Sequence, residues 1–340
     1  EGDRHSHQRR YLANFLAIAS GKQRLSHVDE LIPDEFEQAC GGHYPRKSSN
    51  HEYMDRIVKK DEELISKGQD SIIDKFSDDT TKGYVKAGIL NGERMYIDKH
   101  VIQVNTERNI NKDLHGTKAM TVKAIDEYRG LCADTETPIF SWFKNAGQTF
   151  SKLVKPALSK AKSLTGKAIK LLGLDKGAYN FKELGEAAEE TGTCIAIWAK
   201  DIPKTLESLE AVPLKSFEVY ETEIVKDPDG SQREVPTTLI ADAGEIIIDK
   251  EGHKVRTIAL QNEKTKRRVG ILTFGENAKN YDKYEIVDFL YGKQSIENYF
   301  KERKKWGSDK FCGGIFKEVK TLLPSKAELS SMNKRLSSLD

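Results

Sequence analysis

Residues 94–101 read Arg94-Met95-Tyr96-Ile97-Asp98-Lys99-His100-Val101, a short apolar stretch with a single acidic residue, Asp98, near its centre. Apolar side chains occur at both odd and even positions of the stretch, which is typical of a β-strand covered on both faces. An unpaired buried carboxylate costs on the order of several kcal/mol, so such a group is normally paired, protonated or bound to a metal ion. Two interpretations of Asp98 stay open at this point: an ion pair with Lys99 or with a lysine elsewhere, or a metal ligand.

The residues that follow this stretch predict an α/β order of elements. Apolar and turn-forming patterns indicate a hairpin over 128–133 and 138–143, and helical spacing indicates a helix over about 148–164. A second apolar strand over 168–174 ends directly before another acid, Asp175. A helix from about 181 to 190 and a buried strand over 193–199 complete the pattern, so carboxylates stand at matching points of two strands.

Residues 204–276 interrupt that order with a β-rich segment, interpreted as an insertion or subdomain. Strand patterns cover 216–225, 237–240, 244–249, 255–260 and 268–274, and Asp-Pro-Asp-Gly at 227–230 is a clear turn signal. A basic cluster near 264–268 includes Arg267 and Arg268. These two arginines either contact phosphate groups of a nucleic acid or belong to a solvated hairpin tip.

Helical spacing returns at 284–305 and predicts one continuous helix. Ile286, Leu290, Lys293 and Glu297 recur three and four residues apart, which puts Glu297 on the same side as the apolar residues. This placement makes Glu297 a candidate third acid. The alternative is a surface ion pair of Glu297 with Lys293 or Lys301, which contributes only about 0.3–0.5 kcal/mol.

The overall charge of the 340-residue chain, 55 basic against 53 acidic residues, is only +2 and does not by itself indicate a nucleic-acid partner. The distribution of charge is more informative, because 137–174 contain no acidic residue while lysines, Lys152 and Lys155 among them, recur along the predicted helix. Such a run suits a helix along a phosphate backbone, or else a solvated lysine face.

The sequence patterns at the two ends of the chain are less specific for a fold or a function. Residues 1–82 predict a helical domain that either contacts DNA or mediates dimerisation, with a linker at 78–83. The tail, 311–340, is rich in Ser and Lys and has room for a short docking helix. No apolar run is long enough to span a membrane. The cysteines are widely scattered and are expected to be reduced and mostly buried: Cys40, Cys132, Cys194 and Cys312.

Three segments, each built around one of the acids, resemble the motifs of a known enzyme family. Residues 96–101, 174–179 and 295–301 are similar to the three acid motifs of bacterial insertion-sequence transposases of the DDE type. The similarity is clearest from about 94 to 305. Order and predicted structural context make the three motifs together more specific than any one of them.

The resemblance implies an α/β fold with an RNase H-like catalytic core, 83–203 and 277–310, interrupted by the β-rich insertion at 204–276. Asp98, Asp175 and Glu297 would be the catalytic acids and the ligands of Mg²⁺, for which Mn²⁺ would substitute, and two-metal chemistry would cleave and join phosphodiesters. The implied partners are double-stranded DNA and a second copy of the chain on that DNA, in the bacterial cytoplasm at the nucleoid. The implied or proposed DNA-contacting residues are Lys293, Lys301, Lys304, Lys152, Lys155, Arg267 and Arg268.

Two departures from the family pattern limit what the resemblance implies. Gln294 stands where relatives commonly have tryptophan, and the β-rich segment contains no tryptophan to stack on a flipped base. Phe217, Tyr220 or Phe274 would have to stack instead. Three rival functions stay open: a DNA-binding relative without activity, an RNase H-like nuclease without strand transfer, and an α/β protein whose acids are ordinary ion pairs.

Overall fold

The computed structural model describes residues 10, 13, 47–69, 71–103, 111–115, 119–227, 231–247 and 254–305. These residues form a mixed α/β fold around one ten-stranded sheet. The helices are α1 (Lys47–Ser66), α2 (Ile72–Lys86), α3 (Ser151–Thr165), α4 (Phe181–Thr191), α5 (Pro203–Glu210), α6 (Lys283–Gly292) and α7 (Gln294–Lys305). The strands are β1 (Arg94–Gln103), β2 (Lys112–His115), β3 (Met120–Cys132), β4 (Pro138–Asn145), β5 (Leu171–Leu174), β6 (Cys194–Trp198), β7 (Glu218–Lys226), β8 (Gln232–Ile247), β9 (Lys254–Asn262) and β10 (Arg268–Phe274).

The strand order is β2-β3-β1-β5-β6-β10-β9-β8-β7, with β4 also paired to β3. Strand β1 runs antiparallel to β3 and parallel to β5, and β5 runs parallel to β6. The remaining strands continue from β6 as antiparallel neighbours. Helices α3 and α4 connect the strands at the centre, so the parallel part of the sheet is built from crossover units.

Both faces of the central strands are covered, which explains the continuous apolar character of β1. On one face, Met95 and Ile97 belong to a core that includes Val154 and Leu158 of α3. On the other face, Tyr96 belongs to a second core with residues of α6.

Tyr96 fixes the position of α6 over β1 and β5. Its hydroxyl donates a hydrogen bond of 2.6 Å to the Phe289 carbonyl oxygen, and the two rings lie 4.7 Å apart between centroids. Two glycines make room for it: a Cβ on Gly173 would stand 2.7 Å from the Tyr96 ring, and one on Gly292 would stand 2.6 Å from the Tyr96 oxygen. The sequence around these glycines therefore sets how closely α6 approaches the sheet.

The linker predicted at 78–83 is wrong, because these residues lie inside α2. Ser71 begins this helix by accepting a hydrogen bond from the Asp74 amide. Asp78 then pairs with Lys160 of α3, and the Thr81 hydroxyl donates to the Ile139 carbonyl of β4 at 2.8 Å. The helix continues through the segment because one of its sides packs on the α/β core.

The β-rich segment is continuous with the central sheet, because β10 pairs with β6 over Ile271–Phe274. The two strands expected at 237–240 and 244–249 are one strand, β8, whose register shifts between Asp242 and Gly244. Gly244 has a φ of 73°, a conformation that favours glycine and accommodates the bulge. The boundaries of the predicted insertion, 204–276, stay a prediction.

The continuous helix expected over 284–305 is also corrected, since it is divided into α6 and α7 at Lys293. Asp282 and Glu285 form a reciprocal capping box at the start of α6, as the acidic residues at this point favour. Lys293 ends α6, so the two helices need not share one apolar stripe.

Several expectations lie outside the described residues. They are the helices predicted before residue 47, the tail at 311–340, and the cysteines Cys40 and Cys312. Cys132 and Cys194 are buried free thiols, as expected. Among the helices that the structure describes, none has the length and apolar character that crossing a bilayer requires.

Candidate active site

Asp98 and Asp175 are neighbours on two parallel strands. The parallel register pairs Ile97 with Leu174, so the next residue of each chain segment is one of the two aspartates. Burial raises the pKa of the Asp98 carboxyl, the Lys293 ammonium opposes that rise, and the Asp175 carboxylate adds to it. The structure therefore brings these two predicted site residues together, with one carboxylate placed close enough to affect the ionisation of the other.

Lys293 holds the Asp98 carboxylate. The Lys293 Nζ lies 3.3 Å from Asp98 Oδ2, and the two side chains are only 7% and 16% exposed. Of the two interpretations left open for Asp98, the ion pair with a distant lysine is present. The expected partner Lys99 is excluded as the ion-pair partner of Asp98 and contributes only its backbone amide, 2.9 Å from Asp98 Oδ1.

Glu297 lies in the first turn of α7 and is exposed. The expectation that it shares a side with the apolar residues is wrong, because Glu297 is exposed whereas the neighbouring Ile296 is buried. The Glu297 carboxylate accepts a hydrogen bond of 3.0 Å from the Gln294 amide. The role of Glu297 as a third acid stays a prediction.

A buried ion pair of β3 lies beside Asp98 and was missed from the sequence. Arg129 is directly opposite Asp98 in the antiparallel register. Its guanidinium donates from Nε and Nη2 to Glu127 Oε1 at 3.0 and 2.7 Å, and both residues are buried. Charged residues alternating within an otherwise apolar strand are the signal that would have indicated such a pair.

Lys99 belongs to a separate cluster on the opposite face of β1. Its ammonium bridges Asp113 and Asp126, at 3.0 Å from Asp126 Oδ2. Asp126 also accepts a hydrogen bond from the Gly147 amide at 3.1 Å, whereas its buried Oδ1 has no hydrogen-bond partner. Burial raises the pKa of Asp126 to about 6, although Lys99 opposes the rise. This cluster connects β1, β2 and β3 behind the Asp98 site.

The predicted DNA-contacting residues differ in their surroundings. Lys152 and Lys301 are exposed and have no ion pair within the described part of the chain, whereas Lys155 is paired with Glu190. Arg267 is exposed and 3.2 Å from Asp201. The side chain of Lys304 lies outside the described residues.

Arg268 is buried, which corrects the expectation that it contacts phosphate. Its Nη1 donates to the carbonyl oxygens of Leu209, Glu210 and Val212 at 2.7, 3.0 and 2.9 Å. Arg268 thus caps the end of α5 by donating to two carbonyl oxygens of its last turn and to a third just after it. The guanidinium also lies 4.9 Å from the ring centroid of Phe217.

A row of aromatic residues, Trp198, Tyr291 and Tyr220, begins beside the two aspartates. The pairing of Leu174 with Ile197 places Trp198 in the row that contains Asp98 and Asp175. The Trp198 and Tyr291 ring centroids are 5.6 Å apart, and Tyr220 lies 6.1 Å beyond Tyr291. Of the three aromatic residues expected to replace a stacking tryptophan, only Tyr220 is in this row.

A metal site of three acids is not assembled in this structure: within the described ranges, no group of three or more His, Cys, Asp or Glu side chains is arranged to hold a metal ion. The two aspartates alone still fit Mg²⁺, which is usually held by one or two carboxylates together with water and substrate phosphate. The chemistry of the donor set therefore suits a hard divalent cation.

No family model matches the chain, and no curated protein does. Among solved structures, the chain is similar to a piggyBac transposase in a cryo-EM structure of its synaptic complex with hairpin DNA. The identity is 8% and the TM-score is 0.49, over 99% of this chain and 68% of that chain.

Proposed function

We propose that this chain is a DNA transposase that cleaves DNA at the ends of a mobile element and joins those ends to target DNA. The observation that carries the proposal is the adjacency of Asp98 and Asp175 on β1 and β5. A carboxylate at the centre of a covered strand costs folding free energy, and a second carboxylate beside it increases that cost. Such an arrangement is typical of functional sites, where ionisable groups are gathered for a ligand.

The order of the strands supports an RNase H-like core. Three antiparallel strands, β4, β3 and β1, are followed by the parallel strands β5 and β6. This is the layout that the resemblance of the acid motifs implies, with one acid on the first strand and the second acid after a later parallel strand. The proposal places Glu297 as the third acid, supplied by α7.

The residues of the site have distinct proposed roles. Asp98 and Asp175 would hold Mg²⁺ through their oxygens, and Glu297 would complete the ligand set. The bound ions would activate an attacking hydroxyl and stabilise the leaving oxygen of the phosphodiester. Arg129 and Glu127 act as positioning residues, because their ion pair fixes the strand directly opposite Asp98.

DNA is the proposed partner, and exposed cations together with the aromatic row support it. Lys152, Lys301 and Arg267 are exposed and can reach a phosphate backbone. The rings of Trp198 and Tyr291 can stack with unpaired bases beside the acids. Because transposition joins two ends, we propose that two copies of the chain act together on DNA.

A cleavage and joining assay tests the proposal. The protein, with Mg²⁺ or Mn²⁺, is incubated with duplexes taken from both flanks of its own coding sequence and with a supercoiled target plasmid. We expect nicks that leave 3′-hydroxyl ends and products in which an end is joined to the plasmid. Asp98→Asn and Asp175→Asn should abolish both products yet bind the duplexes, whereas Lys226→Met, on the far edge strand β7, should match the wild type.

The outcomes distinguish the rival functions. Nicks without joined products would favour a nuclease. Binding without cleavage would favour the inactive DNA-binding relative, a candidate supported by the Lys293–Asp98 ion pair and the exposed Glu297. Cleavage by Asp98→Asn at the wild-type rate would refute the assignment of the acids.

A further inference from the structure

Lys293 is the buried cation that pairs with Asp98 in the candidate site. It is the residue at which α6 ends and α7 follows, and it is 6% exposed. Its ammonium lies 3.3 Å from Asp98 Oδ2. A buried ammonium must be paired, so in this structure Lys293 and Asp98 neutralise each other.

The contact between Lys293 and Asp98 opposes the binding of a divalent cation at Asp98. An ion held between Asp98 and Asp175 would lie within a few ångströms of the Lys293 ammonium, and like charges repel strongly at such a buried position. The other Asp98 oxygen, Oδ1, already accepts a hydrogen bond from the Lys99 amide, so Oδ2, which faces Lys293, would be the oxygen offered to an ion. Lys293 and the metal ion therefore compete for one carboxylate.

We propose that Lys293 is the resident counter-ion of Asp98 in the metal-free protein, and that it must leave Asp98 before a divalent cation binds the aspartate pair. This inference rests on the proposed function for the identity of the metal ligands.

The displaced ammonium needs a new partner, and a DNA phosphate supplies one. A lysine binds phosphate as a point charge, without the fixed geometry of arginine. Duplex binding would draw Lys293 away from Asp98 and so strengthen metal binding. By thermodynamic reciprocity, the metal ion would strengthen duplex binding by the same factor. In the absence of DNA, Lys293 would keep the site in a low-affinity state and suppress untargeted cleavage.

A titration with Mn²⁺ alone tests the proposal without any measurement of activity. Electron paramagnetic resonance of free Mn²⁺ reports the affinity of the wild type and of Lys293→Met. We expect the variant to bind about tenfold more tightly or better, because removing one adjacent unit charge changes the affinity by at least that factor. Lys293→Arg, which keeps the charge, should not gain affinity. Lys226→Met, which removes a lysine charge on the far edge strand, should match the wild type.

A second titration identifies the ligands and the coupling. Asp98→Asn combined with Lys293→Met should lose the gain in affinity. A short random-sequence duplex should tighten Mn²⁺ binding to the wild type but not to Lys293→Met. If Lys293→Met does not retain the circular dichroism spectrum of the wild type, Lys293→Gln takes its place, and the wild type with and without duplex gives an independent test.

The results separate this inference from the proposed function. Mn²⁺ that binds wild type and Lys293→Met equally, and is lost in Asp98→Asn, would refute the role of Lys293 while leaving the metal site intact. No Mn²⁺ binding to any variant, with or without duplex, would refute both. An affinity of the wild type that the duplex leaves unchanged would refute the coupling.

Discussion

The contact between Asp98 and Lys293 predicts a measurable coupling in stability. Two unit charges 3.3 Å apart interact by about 5 kcal/mol at an effective dielectric constant of 20, and by about 1 kcal/mol in bulk water. Because both side chains are mostly buried, with 16% and 7% exposed, we expect a coupling free energy of about 2–4 kcal/mol.

A double-mutant cycle measures this coupling. Asp98→Asn leaves the Lys293 ammonium without its carboxylate, and Lys293→Met leaves a carboxylate beside the second aspartate. Each single variant should lower the free energy of unfolding in urea, and the double variant should lose much less than the sum of the two. The experiment is done in EDTA, so that no bound metal ion contributes.

The control is the equivalent cycle on an exposed ion pair. Lys155 and Glu190, with about half of each side chain exposed, should couple by less than about 1 kcal/mol. A coupling below about 0.5 kcal/mol for Asp98 and Lys293 would show that the two charges do not depend on each other. It would remove the basis for assigning Lys293 as the counter-ion.

Three further predictions concern the sheet that carries the site. Gly173→Ala places a Cβ 2.7 Å from the Tyr96 ring and should lower the free energy of unfolding in urea by about 1–3 kcal/mol. The control, Gly185→Ala, lies on α4 with open space around it and should be neutral or stabilising. Arg268→Met removes a buried donor from three carbonyl oxygens at and just after the end of α5, and it should cost about 2–4 kcal/mol. The exposed Arg267→Met should cost less than about 0.5 kcal/mol. The pKa of Asp126 is raised to about 6 in the folded protein, so the wild type loses stability as the pH rises from 4 to 7. Asp126→Asn has no such carboxyl and should therefore gain up to about 2–3 kcal/mol relative to the wild type over this range.

Each of these predictions has a result that contradicts it. Equal effects of the two glycine substitutions would mean that the tyrosine ring has room to move. A neutral Arg268→Met would mean that water satisfies the carbonyls. A stability difference between Asp126→Asn and the wild type that does not change with pH would mean that Asp126 ionises normally in the folded protein.

The central α/β elements could be predicted from the sequence because their signals are local. The hairpin, the lysine-rich helix, the following helix and the buried strand after it all appear near their predicted positions. Asp98 lies near the centre of one apolar strand and Asp175 directly follows another, so the sequence predicts carboxylates at matching points of two strands of an α/β sheet. The sequence pattern is therefore sufficient to predict that Asp98 and Asp175 lie side by side, while their catalytic role stays a prediction.

The features that the sequence did not predict depend on contacts between distant segments. The division of the last helix at Lys293 accompanies the packing of Tyr96 against Gly292, which are far apart in sequence. The continuity of the sheet rests on the pairing of β10 with β6, which no local pattern indicates. The burial of Arg268 likewise depends on carbonyls about sixty residues away.

The most direct test of the account is the location of Mn²⁺ by anomalous scattering in crystals of the chain bound to duplex DNA. We predict a peak within about 2.5 Å of carboxylate oxygens of both Asp98 and Asp175, with the Lys293 ammonium turned to a phosphate. Saturating Mn²⁺ that gives no peak there, with the Lys293–Asp98 ion pair still intact on bound DNA, would contradict it.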